Sequence, residues 1–241
     1  MLYSEITGLF HAELTGMPVY SARVMHIKRE IALCVTGHRE KAVIPYKDDP
    51  DNLEITKYAV RAMLDGYLSA VMKKGYTTVL SGLAEGADLW AAQRVLFHKR
   101  YEKDRHIIGV LPYMKHYRGF SSENLNLLRL VERHSDFLVT TCDNPNMVYG
   151  KNYSSFTDPQ IYRIRNYYMV DNSSVVIAFY NGSNTRSGTG QTLRYAKQLG
   201  RKIYSFSLED VYELMEKTNC DKVAMYNEMK NLKLDIPEPL I

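Results

Sequence analysis

Three short stretches put glycine beside hydroxyl, carboxylate and guanidinium groups, a combination suited to holding an oxyanion. In "TGHRE", Thr36 to Glu40, Gly37 permits close approach to the backbone. Arg39 supplies a planar fork for phosphate or carboxylate, and His38 an acid or base. In "SGLAEGADLWAA", Ser81 to Ala92, Gly82 and Gly86 bracket a loop that opens a helix, whose free N–H groups favour an anion. Asp88, in the first turn, suits ribose hydroxyls or simply offsets the helix dipole. Glu85 is the best-placed general acid or base if there is catalysis, and otherwise a solvated loop residue. In "SNTRSGTGQTLRYA", Ser187, Gly188, Thr189 and Gly190 precede a helix; the glycines let the chain wrap an oxyanion and the hydroxyls add donors. No GK[ST] follows, and the third glycine of GxGxxG is missing, so neither phosphate motif is present. Arg165 and Asn166 fall on the helix before the strand near Val175, from which Arg165 could reach a phosphate; a lone arginine there is also at home in solvent.

What must position these loops is an alternation of strands and helices. Short apolar runs over 31–39, 76–82, 106–112, 136–141, 174–180 and 201–207 read as strands. Helical spacing runs over 56–75, 86–100, 122–134, 159–171, 190–200 and 208–217. Such alternation implies an α/β fold whose mostly parallel sheet is covered on both faces. Ligands then bind beyond the carboxyl ends of the strands, which singles out the loops after Val35, Leu80, Leu111, Thr140 and Phe179. Residues 1–29 fall outside this rhythm and read as a hairpin, an interface arm or a disordered lead. Residues 142–158 form the longest irregular loop, a lid or a plain solvent loop. Trp90, the only tryptophan, reads as core in preference to a base-stacking surface.

Composition narrows the classes. The 241 residues carry 45% hydrophobic and 24% charged residues and a net charge of +4, ordinary for a globular domain. No dense Lys/Arg block appears, which places single-stranded nucleic acid below small anionic molecules as a partner. Cys34, Cys142 and Cys220 are odd in number and widely spaced, against a disulfide framework or a zinc site, and no metal is expected. With no secretory leader and no long apolar run, the expectation is a cytoplasmic protein without a membrane partner.

The three stretches, in this order, resemble the SLOG superfamily, which includes DprA-type recombination mediators, lonely-guy phosphoribohydrolases and YpsA-like proteins. "SGLAEGAD" resembles the DprA-type SGLA-x-G-[IA]-D segment, and "GADLWAA" is similar to the Gly-x-acidic-Leu-Trp of YpsA-like proteins. "RNYYMVDNSSVVIAFYNG" followed by "SGTGQTLRYAKQLGRKIYSF" resembles the YpsA-like pattern of RN, strand, Gly-Thr loop and helix. The likeness covers about residues 30–207 and favours the YpsA-like branch. It implies a Rossmann-like three-layer sandwich with about six or seven strands. It divides the chain into an extension over 1–29, a nucleotide-binding domain over 30–207, and a helix and tail of that domain over 208–241. The implied site joins Thr36, Gly37 and Arg39 to Ser81, Gly82, Gly86 and Asp88, and to Ser187, Gly188, Thr189 and Gly190. Lonely-guy enzymes carry a catalytic Glu that falls here on Thr192, which cannot serve as an acid or base, while their helix Arg falls on Arg165. The resulting expectation is a homo-oligomeric protein that senses or sequesters a nucleotide or an ADP-ribose- or NAD-like derivative. The rival is an N-glycosidic hydrolase of such molecules, using Glu85 or Asp88.

Overall fold

A computed structural model of the chain describes residues 9–142, 149, 159–182 and 186–239. Its strands are β1 (Leu9–His11), β2 (Pro18–Ser21), β3 (Ala32–Gly37), β4 (Thr78–Ser81), β5 (His106–Leu111), β6 (Phe137–Thr140), β7 (Val175–Phe179) and β8 (Lys202–Phe206). They form one sheet in the order β1-β2-β6-β5-β4-β3-β7-β8. Every pairing is parallel except β1 with β2. The fold is the expected α/β sandwich, with more strands than the six or seven anticipated. The surplus comes from residues 1–29. Alternation there is too short to read from sequence, yet Phe10 and Val19 are fully buried and β2 adds in parallel to β6.

The helices are α1 (Leu53–Met72), α2 (Ala87–Lys99), α3 (Ser122–His134), α4 (Pro159–Asp171), α5 (Gly188–Gln198), α6 (Leu208–Lys217) and α7 (Lys222–Lys230). α7 lies where the sequence suggested only a tail. Its apolar stripe is just Met225 and Met229, and the Asp221 carboxylate caps it by accepting from the Ala224 N–H at 2.7 Å. Because strand side chains alternate, Leu33 and Val35 point into the larger core with α1 and α2, whereas Cys34 points into the smaller core with α4 and α5. Burial on both faces explains the unbroken apolar runs that marked these strands. The chain leaves β3 on one side for β4 and returns on the other as β7. The topological switch point, where such sheets open a crevice, therefore lies between β3 and β7. The segment 142–158 falls outside the described residues apart from Cys142 and Tyr149.

Beyond the burial of Phe10 and Ala12, a part-buried hydrogen bond fastens the N-terminal segment to the helical layer. Thr15 Oγ1 donates to Glu132 Oε2 of α3 at 2.6 Å, and Glu132 is 1% exposed. Burial raises the Glu132 pKa, and the Thr15 hydrogen bond partly offsets that. Thr15→Val strips the carboxyl of this partner, and unfolding by urea, followed by circular dichroism, is expected to show a loss of about 1–3 kcal/mol.

Candidate functional site

At the switch point His38 ties three segments together. Its N–H donates to Phe179 O at 3.1 Å, its carbonyl accepts from Ala87 N at 3.2 Å, and its Nε2 accepts from Asn181 N at 3.0 Å. The ring packs on Phe179 and Tyr180. Accepting at Nε2 places the proton on Nδ1, and burial lowers the pKa, which favours the neutral imidazole. His38 thus fastens β3, β7 and α2 to one another. Thr36 is buried in the strand end, and Gly37 is hemmed in by Ala87, where an added Cβ would come within 2.5 Å. Arg39, by contrast, is exposed at the rim, and its charge is felt at Asp88, Arg165 and His116.

The loop from β4 to α2 closes on itself. Ser81 Oγ donates to Asp88 O at 2.8 Å and accepts from Leu83 N at 3.2 Å. Gly86, with φ +96°, lets the start of α2 lie against the backbone of residues 38–40, where a side chain would collide. Gly82 leaves a slot that Arg165 fills: a Cβ at residue 82 would sit 1.2 Å from the guanidinium Nη1. From that slot Arg165 Nη1 reaches Asp88 Oδ2 at 3.4 Å, both side chains being buried. Arg165 Nε has no hydrogen-bond partner among the described residues.

Glu85, the candidate general acid or base, is engaged elsewhere. Its Oε1 accepts from Asn124 Nδ2 at 2.7 Å and from Ser121 N at 3.4 Å, at the start of α3. Two residues that sequence reasoning passed over stand in the loop after β5. His116 is 5% exposed; burial, helped by the charges of Arg165 and Arg39, lowers its pKa to about 3. Tyr113 hydrogen-bonds Tyr162 of α4, oxygen to oxygen at 2.9 Å. That loop had been marked by its position after Leu111, but its glycine and serine, Gly119 and Ser121, stand at its far end beside α3 and not at the strand end where they drew attention in the others.

The third stretch is more helical than its glycines suggested. Gly188, Thr189 and Gly190 form the first turn of α5, capped by Ser187, whose Oγ accepts from Gly190 N at 3.1 Å. Thr189 is buried. Thr192 donates to Gly188 O at 2.7 Å and accepts from Asn166 Nδ2 at 3.0 Å. A hollow of about 350 Å³ opens here, lined by Tyr162, Asn166, Arg186 and Gly188 among others. Tyr162, Arg165 and Asn166 share one face of α4 through their i, i+3, i+4 spacing. That face links the loop after β5, the Asp88 corner and the start of α5.

Comparison with known proteins matches the family model for YpsA, described as the YspA SLOG family, to residues 33–214. The chain belongs to the YpsA family of SLOG proteins. It is similar to the UPF0398 proteins of Bacillus thuringiensis strain Al Hakam and of Bacillus cereus strains AH187 and Q1. Each is 23% identical over 150 residues, which cover 62% of this chain and 73% of the relative.

In this SLOG protein the crevice holds an unbalanced set of charges. Burial raises the Asp88 pKa to about 6, while Arg165, Arg39 and the N–H groups of Ala84 and Gly37 pull it back. Near neutral pH two arginines thus face one carboxylate and a neutral imidazole. Among the described residues no group of three His, Cys, Asp or Glu side chains could hold a metal ion, and no helix is long and apolar enough to cross a membrane.

The raised Asp88 pKa has a definite sign for stability. The folded chain binds this proton more tightly than the unfolded one, so the contribution is full below about pH 4 and is lost as pH rises through about 6. A shift of some two units corresponds to about 3 kcal/mol. Urea unfolding of wild type and Asp88→Asn across that range is expected to show the wild type losing up to this amount relative to the variant.

Proposed function

We propose that the crevice binds a nucleotide or nucleotide derivative, of the ADP-ribose or NAD type, through its phosphates, and holds it without cleaving it. The observation that carries this reading is the state of Arg165. A guanidinium that is 5% exposed, with one long contact to a carboxylate and its Nε unmet, has spare donors in a desolvated place. A phosphate oxygen satisfies them and balances the surplus charge shared with Arg39. The N–H groups of Gly188 and Thr189 have no acceptors within their own helix and add a second anion site at the other end of the same α4 face. Tyr162 and Tyr167, beside that hollow, offer flat surfaces to a base or ribose.

Binding is favoured over N-glycosidic cleavage by the commitments of the candidate acids. Glu85 is held by the start of α3, Asp88 by Arg165, and Thr192 has no ionisable group. Calorimetry with AMP, ADP-ribose, NAD and adenosine is the test. The phosphorylated molecules are expected to bind at least tenfold more tightly than adenosine. Arg165→Ala is expected to weaken them about 100-fold, and Gly188→Trp to block them. Equal affinity for adenosine and AMP, or no change in Arg165→Ala, refutes the reading. Release of free base by the wild type, lost in Glu85→Gln, replaces it with the hydrolase.

A further inference from the structure

A second cavity opens on the opposite end of α2 from the crevice. It is a groove of about 740 Å³ between α1, α2 and α3, with Tyr226 of α7 at its margin. Asp88 starts α2, whereas Phe97 lies nine residues on, about 13 Å along the helix axis. The geometry points to this groove as a separate binding site for an amphipathic anion: a molecule with a flat or linear apolar body and one carboxylate, sulfonate or phosphate head.

The apolar body has its surface in Tyr58, Phe97, Leu130 and Tyr226. Phe97, Leu130 and Tyr226 are 39%, 42% and 40% exposed, and they line one groove together instead of standing singly on the surface. The anionic head has its surface in the uneven charge of the lining. Arg61, Arg94, Lys99 and Arg100 face a single acid, Asp65. Asp65 is already spent: its Oδ2 accepts from Arg94 Nη2 at 2.7 Å, and its Oδ1 lies 2.7 Å from His98 Nε2. Burial works against the Asp65 charge, but these two bonds outweigh it and hold the pKa below the ordinary value. Lys99 is likewise spent on Asp136 at 2.6 Å.

Arg61 and Arg100 are left. Neither has a carboxylate within ion-pair distance among the described residues. Glu40, whose charge couples to Arg61, is bonded instead to Lys57 and Asn124, each at 2.7 Å. The Arg61 guanidinium lies 4.7 Å from the Trp90 ring centre, and its Nε is buried without a partner among the described residues. A guanidinium laid on an indole beneath a lipophilic groove is poised for an anion that brings its own apolar surface.

Ser69, His98 and Asp65 do not add hydrolytic chemistry here. Ser69 Oγ at 3.3 Å and Asp65 Oδ1 at 2.7 Å both fall on the same ring nitrogen, Nε2, so no free nitrogen is turned to the serine. The volume also favours a small molecule over a protein partner, since drug-sized ligands occupy pockets of about 300–1,000 Å³ whereas a stable protein interface buries about 800 Å² on each side.

The only tryptophan of the chain lies directly under Arg61 and serves as the reporter. The probe is 8-anilinonaphthalene-1-sulfonate, an aromatic monoanion, titrated into the full chain while energy transfer from Trp90 is followed. Saturable transfer at one dye per chain is expected. Arg100→Glu and Leu130→Glu, both at exposed positions and checked for native circular dichroism, are each expected to weaken it tenfold or more. Arg165→Ala, which disables the nucleotide crevice, is expected to leave it unchanged, so the two sites succeed or fail separately. Absence of saturable transfer, or wild-type affinity in both groove variants, overturns the proposal. So does sedimentation showing a wild-type dimer that Leu130→Glu turns into a monomer, because a second copy would then be the occupant.

Discussion

The crevice depends on one residue having no side chain. The guanidinium of Arg165 occupies the space that any Cβ at residue 82 would fill, and from there it meets Asp88 at the start of α2. This buried pair spans the two helical layers across the carboxyl edge of the sheet. Taking two charges out of water costs several kcal/mol for each ion, and a single 3.4 Å contact is poor compensation. The pair is therefore weak evidence for stability and better understood as a prepared site. Charge has been gathered where solvent is scarce, and the proposed anion would meet a field already in place.

Around this pair many polar side chains are committed to fastening the fold. His38 and Ser81 spend their polar atoms on the backbone of neighbouring segments. Asn124 holds Glu40 and Glu85 with one amide nitrogen, which draws both acids toward α3. What is left facing the crevice is mostly cationic or aromatic. α2 serves two different surfaces: its first turn frames the crevice, and its last two turns frame the groove beside Arg61. Trp90, fully buried between them, joins the two through the core.

Much of this was legible in the residue order. Glycine with hydroxyl or acid after an apolar run located the ends of β3 and β4 and the start of α5, because parallel strands put their loops on one rim. The start of α5 came two residues earlier than expected, since Ser187 caps the helix and draws both glycines into its first turn. The sheet was underestimated at its edge, where β1 and β2 are three and four residues long and carry little periodic signal. The hardest feature to read was α4. Ile164 and Arg165 are neighbours in sequence, yet the isoleucine is 53% exposed and the arginine 5%. Side-chain chemistry alone predicts the reverse. Only the slot at Gly82, about 80 positions away in the chain, accounts for the inversion. Tyr113 and His116 were missed for a related reason: tertiary neighbours, and no local pattern, bring them to the rim.

The placement of β2 has a consequence for how the molecule is made. Val19 pairs with Leu138, so this strand emerges from the ribosome long before its partner exists. Pairings so distant in sequence form late, because a large loop must close before any contact rewards it. The parallel centre from β3 to β5 can assemble first, and β2 docks as the closing stave, one of the earliest segments translated and among the last to find its seat.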